Sequence, residues 1–212
     1  MEHEYWHKKW SSGDIAFHQP APNPLLVAHF DRLSAPKGAQ IFVPLCGKTT
    51  DIGWLLSQGY RVVGAELSEL AVTELFQNLG LTANVVEKSG LKLFSHDRIS
   101  IYVGDIFKLT AGLLGRIDLI YDRAALVALP EPLRLKYAAH LMEITRTAPQ
   151  FLICFDYDQS TMNGPPFSIN DAAVESYYAA QYNLTSVARE TVKGGLKGKT
   201  DASENVWLLT PR

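Results

Sequence analysis

The 212-residue chain has little cysteine and no dominant charge. Its two cysteines, Cys46 and Cys154, stand far apart, each in or beside an apolar run. No metal-binding spacing links them, so reduced, buried thiols in a cytoplasmic protein are the expectation. Twenty Lys and Arg against 22 Asp and Glu leave a net charge of -2. Nucleic-acid binding needs a concentrated basic face, so that class of partner is not expected. No block of like charges marks a tail. Long apolar runs are missing as well. Phe151–Phe155 is a typical one, and Ile117–Tyr121 carries Asp118. A bilayer-spanning helix takes about 20 apolar residues, so no membrane association is expected. The start, Met1-Glu2-His3-Glu4, lacks the basic-then-apolar order of a secretory signal. Nothing in the composition demands oligomerisation, and a monomer is expected.

What is present is a 47% hydrophobic composition without repeats or low-complexity segments. A chain of this size buries roughly 70% of its unfolded surface, which suits one domain. Residues 1–40 read as an N-terminal extension or lid, with Trp6, Trp10 and Phe17 ahead of a Pro-rich stretch; these aromatics could close over a site or staple the segment onto the core. Asn23 as cap and Pro24 at the first helical position open a short helix through Leu33.

From residue 41 strands and helices alternate. Strands are expected at Ile41–Leu45, Arg61–Glu66, Ile99–Val103, Ile117–Asp122 and Phe151–Tyr157. Lys92–Phe94 is a possible partner of the third. Helices are expected at Thr49–Gln58, from the Ser68 cap through Leu79, at Glu131–Thr147 and at Asp171–Gln181. Leu184–Val192 and Asn205–Thr210 read as a closing strand pair. Short apolar strands between helices imply a Rossmann-like α/β fold, a mostly parallel sheet with helices on both faces. Ligands of such sheets bind beyond the carboxyl ends of the strands.

The residues that follow the strands are the informative ones. Gly47 ends the first strand's turn, and Glu66 closes the second strand nineteen positions later. A carboxylate at about that distance from a glycine turn suits ribose hydroxyls, because it accepts two hydrogen bonds from a diol. The plain alternative is a strand-end glutamate in water. Gly47-Lys48-Thr49 imitates the end of a phosphate-binding loop, but Phe42 stands where the earlier glycine is required. Gly104-Asp105 follows the third strand, where a carboxylate could accept from an adenine amino group or simply cap the next helical turn. Asp122-Arg123 follows the fourth. Arg123 offers a planar, permanently charged donor set for a carboxylate or an anionic sulfur; the alternative is a structural ion pair with Asp122. Asp122 is a conceivable proton acceptor. His3-Glu4-Tyr5-Trp6-His7 matches a zinc-helix pattern but lacks a third ligand, and no metal is expected.

Together these residues resemble the thiopurine S-methyltransferase family, its bacterial branch most closely. The resemblance rests on Trp6 and Trp10 followed by Gly13 and Ala16-Phe17-His18-Gln19, then on Pro44-Leu45-Cys46-Gly47-Lys48 and Gly64-Ala65-Glu66-Leu67-Ser68. Asp122-Arg123-Ala124-Ala125-Leu126-Val127-Ala128 and Gly164-Pro165-Pro166-Phe167 complete it, in order, over most of the chain. The resemblance implies a class I methyltransferase fold using S-adenosylmethionine, acting on the sulfur of a small thiol or thiopurine-like acceptor. Trp10, Leu45, Glu66 and Arg123 match cofactor-contacting positions, Asp105 and Ile106 the adenine-side pair, and Phe17 a substrate-contacting aromatic. The chain departs from the glycine-rich first loop usual in class I methyltransferases, and has Ala124 where the mammalian branch has glycine. Two alternatives stand beside this reading: an NAD-dependent oxidoreductase on a related fold, and methylation of inorganic selenium or tellurium at the same site.

Overall fold

The computed structural model describes residues 3–15, 18–123 and 125–212. The chain forms two compact units, Glu2–Asp118 and Leu119–Arg212.

In the first unit, α1 (His3–Ser11) and α2 (Pro24–His29) precede the sheet. The Asn23 side chain accepts from the Leu25 and Leu26 N–H groups and so caps α2, which tightens into a 3-10 turn at Phe30–Leu33. The strands are β1 (Gln40–Pro44), β2 (Arg61–Glu66), β3 (Asn84–Lys88), β4 (Leu91–His96) and β5 (Ile99–Val103). They lie in the order β3-β4-β5-β2-β1. The β1–β2 and β2–β5 pairs are parallel, whereas β3–β4 and β4–β5 are antiparallel. Between strands run α3 (Thr50–Ser57) and α4 (Glu69–Asn78), with α5 (Ala111–Leu114) following β5. Thr49 caps α3, and Ser68 caps α4 through the Ala71 N–H. Ile41, Phe42, Val62 and Ile101 are buried along the strands, which is why β1, β2 and β5 read as apolar runs. β3 is the strand that the sequence reading lacked. Every one of its residues is exposed, so no buried face imprints a pattern on it.

The second unit holds β6 (Leu119–Asp122), α6 (Glu131–Thr145), β7 (Gln150–Tyr157), α7 (Asp171–Tyr178), β8 (Tyr182–Thr191) and β9 (Ala202–Pro211). The strand order is β6-β7-β9-β8. β6 and β7 are parallel; β9 runs antiparallel to both β7 and β8. Pro132 sits in the first turn of α6, where its missing N–H leaves no bond unmade. Among the described residues no helix is long and apolar enough to cross a membrane.

Candidate active site

The first group of functional residues lies at the carboxyl ends of β1, β2 and β5. Beyond Pro44 the chain reverses through Leu45 at φ 46° and Gly47 at φ 52°. A leucine in left-handed backbone costs about 1–2 kcal/mol and persists only where its surroundings hold it. Three hydrogen bonds hold this turn. The Cys46 N–H donates to the Ala65 carbonyl at 3.0 Å, and the Thr49 N–H to the Cys46 carbonyl at 3.2 Å. The Gly47 N–H donates to Glu66 Oε2 at 2.8 Å.

Glu66, the last residue of β2, is 6% exposed. Its Oε1 accepts from the Ser68 N–H at 2.9 Å. Burial raises the Glu66 carboxyl pKa, and the N–H donors of Ser68, Gly47 and Leu67 oppose that rise. A carboxylate has about four acceptor sites; Gly47 and Ser68 take one on each oxygen and the Leu67 N–H also bears on the group. Acceptor capacity is left for a ligand hydroxyl. Glu66 is therefore not a strand-end glutamate in water: it ties the Gly47 turn to the start of α4.

Trp10 of α1 is buried on the same turn. A β-carbon placed on Gly47 would lie 2.9 Å from Trp10 Cζ2. Lys48 Nζ sits 5.9 Å from the Trp10 ring centroid and forms a 2.5 Å ion pair with Glu74. Glycine is thus required twice at position 47, by backbone angle and by the indole above it. Gly47→Ala should lower the melting temperature and weaken donor binding together; thermal unfolding and calorimetry check this, and an unchanged variant would contradict the cradle.

Asp105 follows β5, the parallel neighbour of β2. Its Oδ1 accepts from the Phe107 N–H at 3.0 Å and caps the 3-10 turn Ile106–Lys108, in which Ile106 is buried. Its Oδ2 lies 3.8 Å from His3 Nε2. Beside these residues an open cleft of about 420 Å³ runs between α1 and the start of α4, lined by His7, Lys8, Trp10, Leu67, Glu69 and Val103. That volume falls within the roughly 300–1,000 Å³ of small-molecule sites. His3 and His7 both lie on α1, and among the described residues no group of three or more His, Cys, Asp or Glu side chains could hold a metal.

The second group lies at the end of β6, in the unit Leu119–Arg212. Asp122 has no exposed surface. Its Oδ1 accepts from the N–H groups of Ala125 and Leu126 at 3.2 and 3.3 Å. Its Oδ2 accepts from the Tyr137 hydroxyl of α6 at 2.7 Å. Burial raises its pKa from 3.8 to about 6 against those hydrogen bonds. This carboxylate clasps the segment that carries Arg123 and is shielded from any acceptor.

A raised folded-state pKa means that the native protein binds a proton more tightly than the unfolded chain. The contribution to stability is complete below pH 3.8 and is lost as pH rises through about 6. Asp122→Asn keeps the shape and the backbone partners, and its amide donates to the Tyr137 oxygen, which then accepts where it had donated, a change that does not itself vary with pH. Between pH 4 and 7 the variant should gain up to about 3 kcal/mol on the parent, a figure that follows from about 1.36 kcal/mol per pKa unit. Parallel stability curves, measured by chemical denaturation, would refute it.

Arg123 does not pair with its neighbour. Its Nε lies 3.8 Å from Glu204 Oε1 on β9, with the two side chains 16% and 17% exposed. The sequence alternative of an Asp122–Arg123 ion pair is thereby corrected: Asp122 is spent on backbone and Tyr137 donors, and Arg123 turns to Glu204. Glu204 and Tyr137 escaped the sequence reading. Neither follows a strand end, and only the register of β9 and the face of α6 bring them in. Among the site residues expected from sequence, Trp10, Gly47 and Glu66 come together around the β1 turn, with Leu45 within it. Asp105 and Ile106 follow the adjacent strand, and Arg123 belongs to the other unit. Phe17 and Ala124 lie outside the described residues.

The thiopurine S-methyltransferase family pattern matches residues 1–211. The chain belongs to this family. A thiopurine S-methyltransferase of Teredinibacter turnerae is 50% identical over 210 residues, 99% of this chain and 98% of the relative. One from Xanthobacter autotrophicus is 49% identical over 210 residues, 99% of both. Among solved structures, the 1,6-didemethyltoxoflavin-N1-methyltransferase of Burkholderia thailandensis, bound to S-adenosylhomocysteine, matches with a TM-score of 0.67 at 17% identity, over 98% of this chain and 87% of that one. The N-methyltransferase NodS of Bradyrhizobium japonicum, also bound to S-adenosylhomocysteine, gives 0.64 at 12% identity over 98% and 97%. At those identities the structures show the fold, the Rossmann-like class I methyltransferase fold. The chain is an S-adenosylmethionine-dependent methyltransferase of the family it belongs to. Its residues fit that donor: a turn closed to any β-carbon at Gly47, and a buried carboxylate with spare acceptor sites beside it.

Proposed function

We propose that this enzyme methylates sulfur in a small thiol or thiopurine-like acceptor, as a single methyltransferase domain with residues 1–40 as its extension. The observation that carries the reading is membership of the family along the whole chain. Glu66 would hold the donor's ribose hydroxyls, with Asp105 and Ile106 at its adenine. Trp10, Leu45 and Gly47 would fix it along the β1 turn.

When bound, S-adenosylmethionine supplies an electrophilic methyl group on a sulfonium centre. The protein's own task is largely to align the acceptor sulfur, and well-oriented groups reach effective molarities of about 10⁵ M or more. Thiolates need little further help to react. Arg123 would favour the ionised sulfur and fix its direction. The buried thiols take no part: burial raises the pKa of Cys46 and Cys154 well above the ordinary value.

Calorimetry with S-adenosylmethionine and with NAD separates a methyltransferase from an oxidoreductase. Binding of the first alone is expected; binding of NAD alone would overturn the reading.

A further inference from the structure

A thiol or a ring thione loses a proton when its sulfur is methylated, and Asp122, the carboxylate the sequence offered, is sealed away from any acceptor. The structure supplies another. Asp122 pairs with Leu152 of β7, so Arg123, one residue on, falls on the opposite face, the one that carries Ile153 and Phe155. Glu204 lies directly across from Phe155 on β9. The two charged groups stand 3.8 Å apart over that face, each with part of its side chain open to solvent. Beyond them Phe155, Met162 and Val192 pack on Tyr157, Leu196 and Ala202. The Phe155 ring across from Glu204, beside a neutral cation–anion pair, suits a flat, uncharged ring that has one proton to give.

We propose that Glu204 is the proton acceptor for acceptors that arrive protonated, an inference that rests on the sulfur-methylation reading above. The acceptor's sulfur lone pair forms the new S–CH3 bond as the donor's own sulfonium S–CH3 bond breaks, and that bond's electrons stay on the donor sulfur. The proton on the acceptor's sulfur or adjacent ring nitrogen passes to the Glu204 carboxylate, and from its exposed edge to water. Arg123 holds the sulfur while Glu204 receives the proton, so the pair divides between them the two charges that develop. General-base help of this kind is worth about 10²–10⁴-fold where it operates.

The test uses the full-length enzyme at saturating S-adenosylmethionine with two probes. 2-Thiopyridone is neutral at neutral pH and carries an N–H proton; 4-nitrothiophenol is already ionised. Glu204→Gln should lower kcat for 2-thiopyridone by about tenfold or more while leaving 4-nitrothiophenol within about twofold. Glu204→Asp, which keeps a carboxylate, should recover part of the thiopyridone rate. An equal loss on both probes would show that Glu204 only braces Arg123 and would overturn the proposal, as would no loss on either. Wild-type enzyme that methylates neither sulfur overturns instead the reading on which the proposal rests.

Discussion

Arg123→Ala should fold and lose at least about tenfold in kcat/KM, equivalent to about 1.4 kcal/mol of transition-state stabilisation. Three readings of Arg123 give three different outcomes. If it favours the thiolate, the loss grows with the acceptor's thiol pKa, because weakly acidic thiols depend most on help with ionisation. If it serves the donor alone, the loss is the same for every acceptor and vanishes at saturating S-adenosylmethionine. If the Arg123–Glu204 pair is only structural, melting temperature drops with little kinetic change. Arg123→Lys separates charge from geometry, since lysine keeps the charge and loses the planar fork. The first pattern is expected, read from kinetics over thiols of graded acidity alongside thermal unfolding. A destabilised but kinetically normal Arg123→Ala would remove the residue from the chemistry.

Glu66 should give the other large effect. Glu66→Ala removes the acceptor for the Gly47 and Ser68 N–H groups as well as the proposed ribose contact. Donor affinity should fall by about 1.5–3 kcal/mol, the range for a hydrogen bond to a charged group, or roughly 10- to 150-fold in Kd. Stability should fall with it, because two buried backbone donors lose their partner. Glu66→Gln makes a sharper test. Its two backbone contacts are both donors, so one of them must face the glutamine NH2 group, whichever way the amide turns. The glutamine variant should therefore be destabilised too, despite its matching shape. Calorimetry and thermal unfolding on both variants check this, and unchanged affinity in a folded Glu66→Ala would end the ribose assignment.

The contrast between Glu66 and Glu204 shows what the sequence made legible. Glu66 ends a fully buried strand at a set distance from a glycine turn, a local pattern with a physical cause. Arg123 follows β6 in the same manner. β1, β2, β5 and β7 announced themselves because they are buried on both faces. β3 could not, being an exposed edge strand without an apolar face. Glu204 meets Arg123 through the pairing of β9 with β7, and no local spacing carries that register. Tyr137 reaches Asp122 from α6 in the same hidden way, which turned a conceivable base into a buried clasp. Of the two sequence readings of Asp105, the cap is seen: one oxygen caps a turn, and the other lies 3.8 Å from His3 Nε2, while the adenine contact is a proposal. Trp10, read as a lid or a staple, is buried on Gly47, and that contact explains the glycine.

Methyl transfer to sulfur can be read from the product itself. The direct measurement is to incubate the enzyme with S-adenosylmethionine carrying a ¹³C-labelled methyl group and a thiopurine, and to locate the label in the product by NMR. The expected product shows a carbon shift characteristic of S–CH3 and forms at a rate that falls in Arg123→Ala. A label bonded to ring nitrogen, or a thiopurine recovered unlabelled while the enzyme binds the donor, would contradict transfer to sulfur.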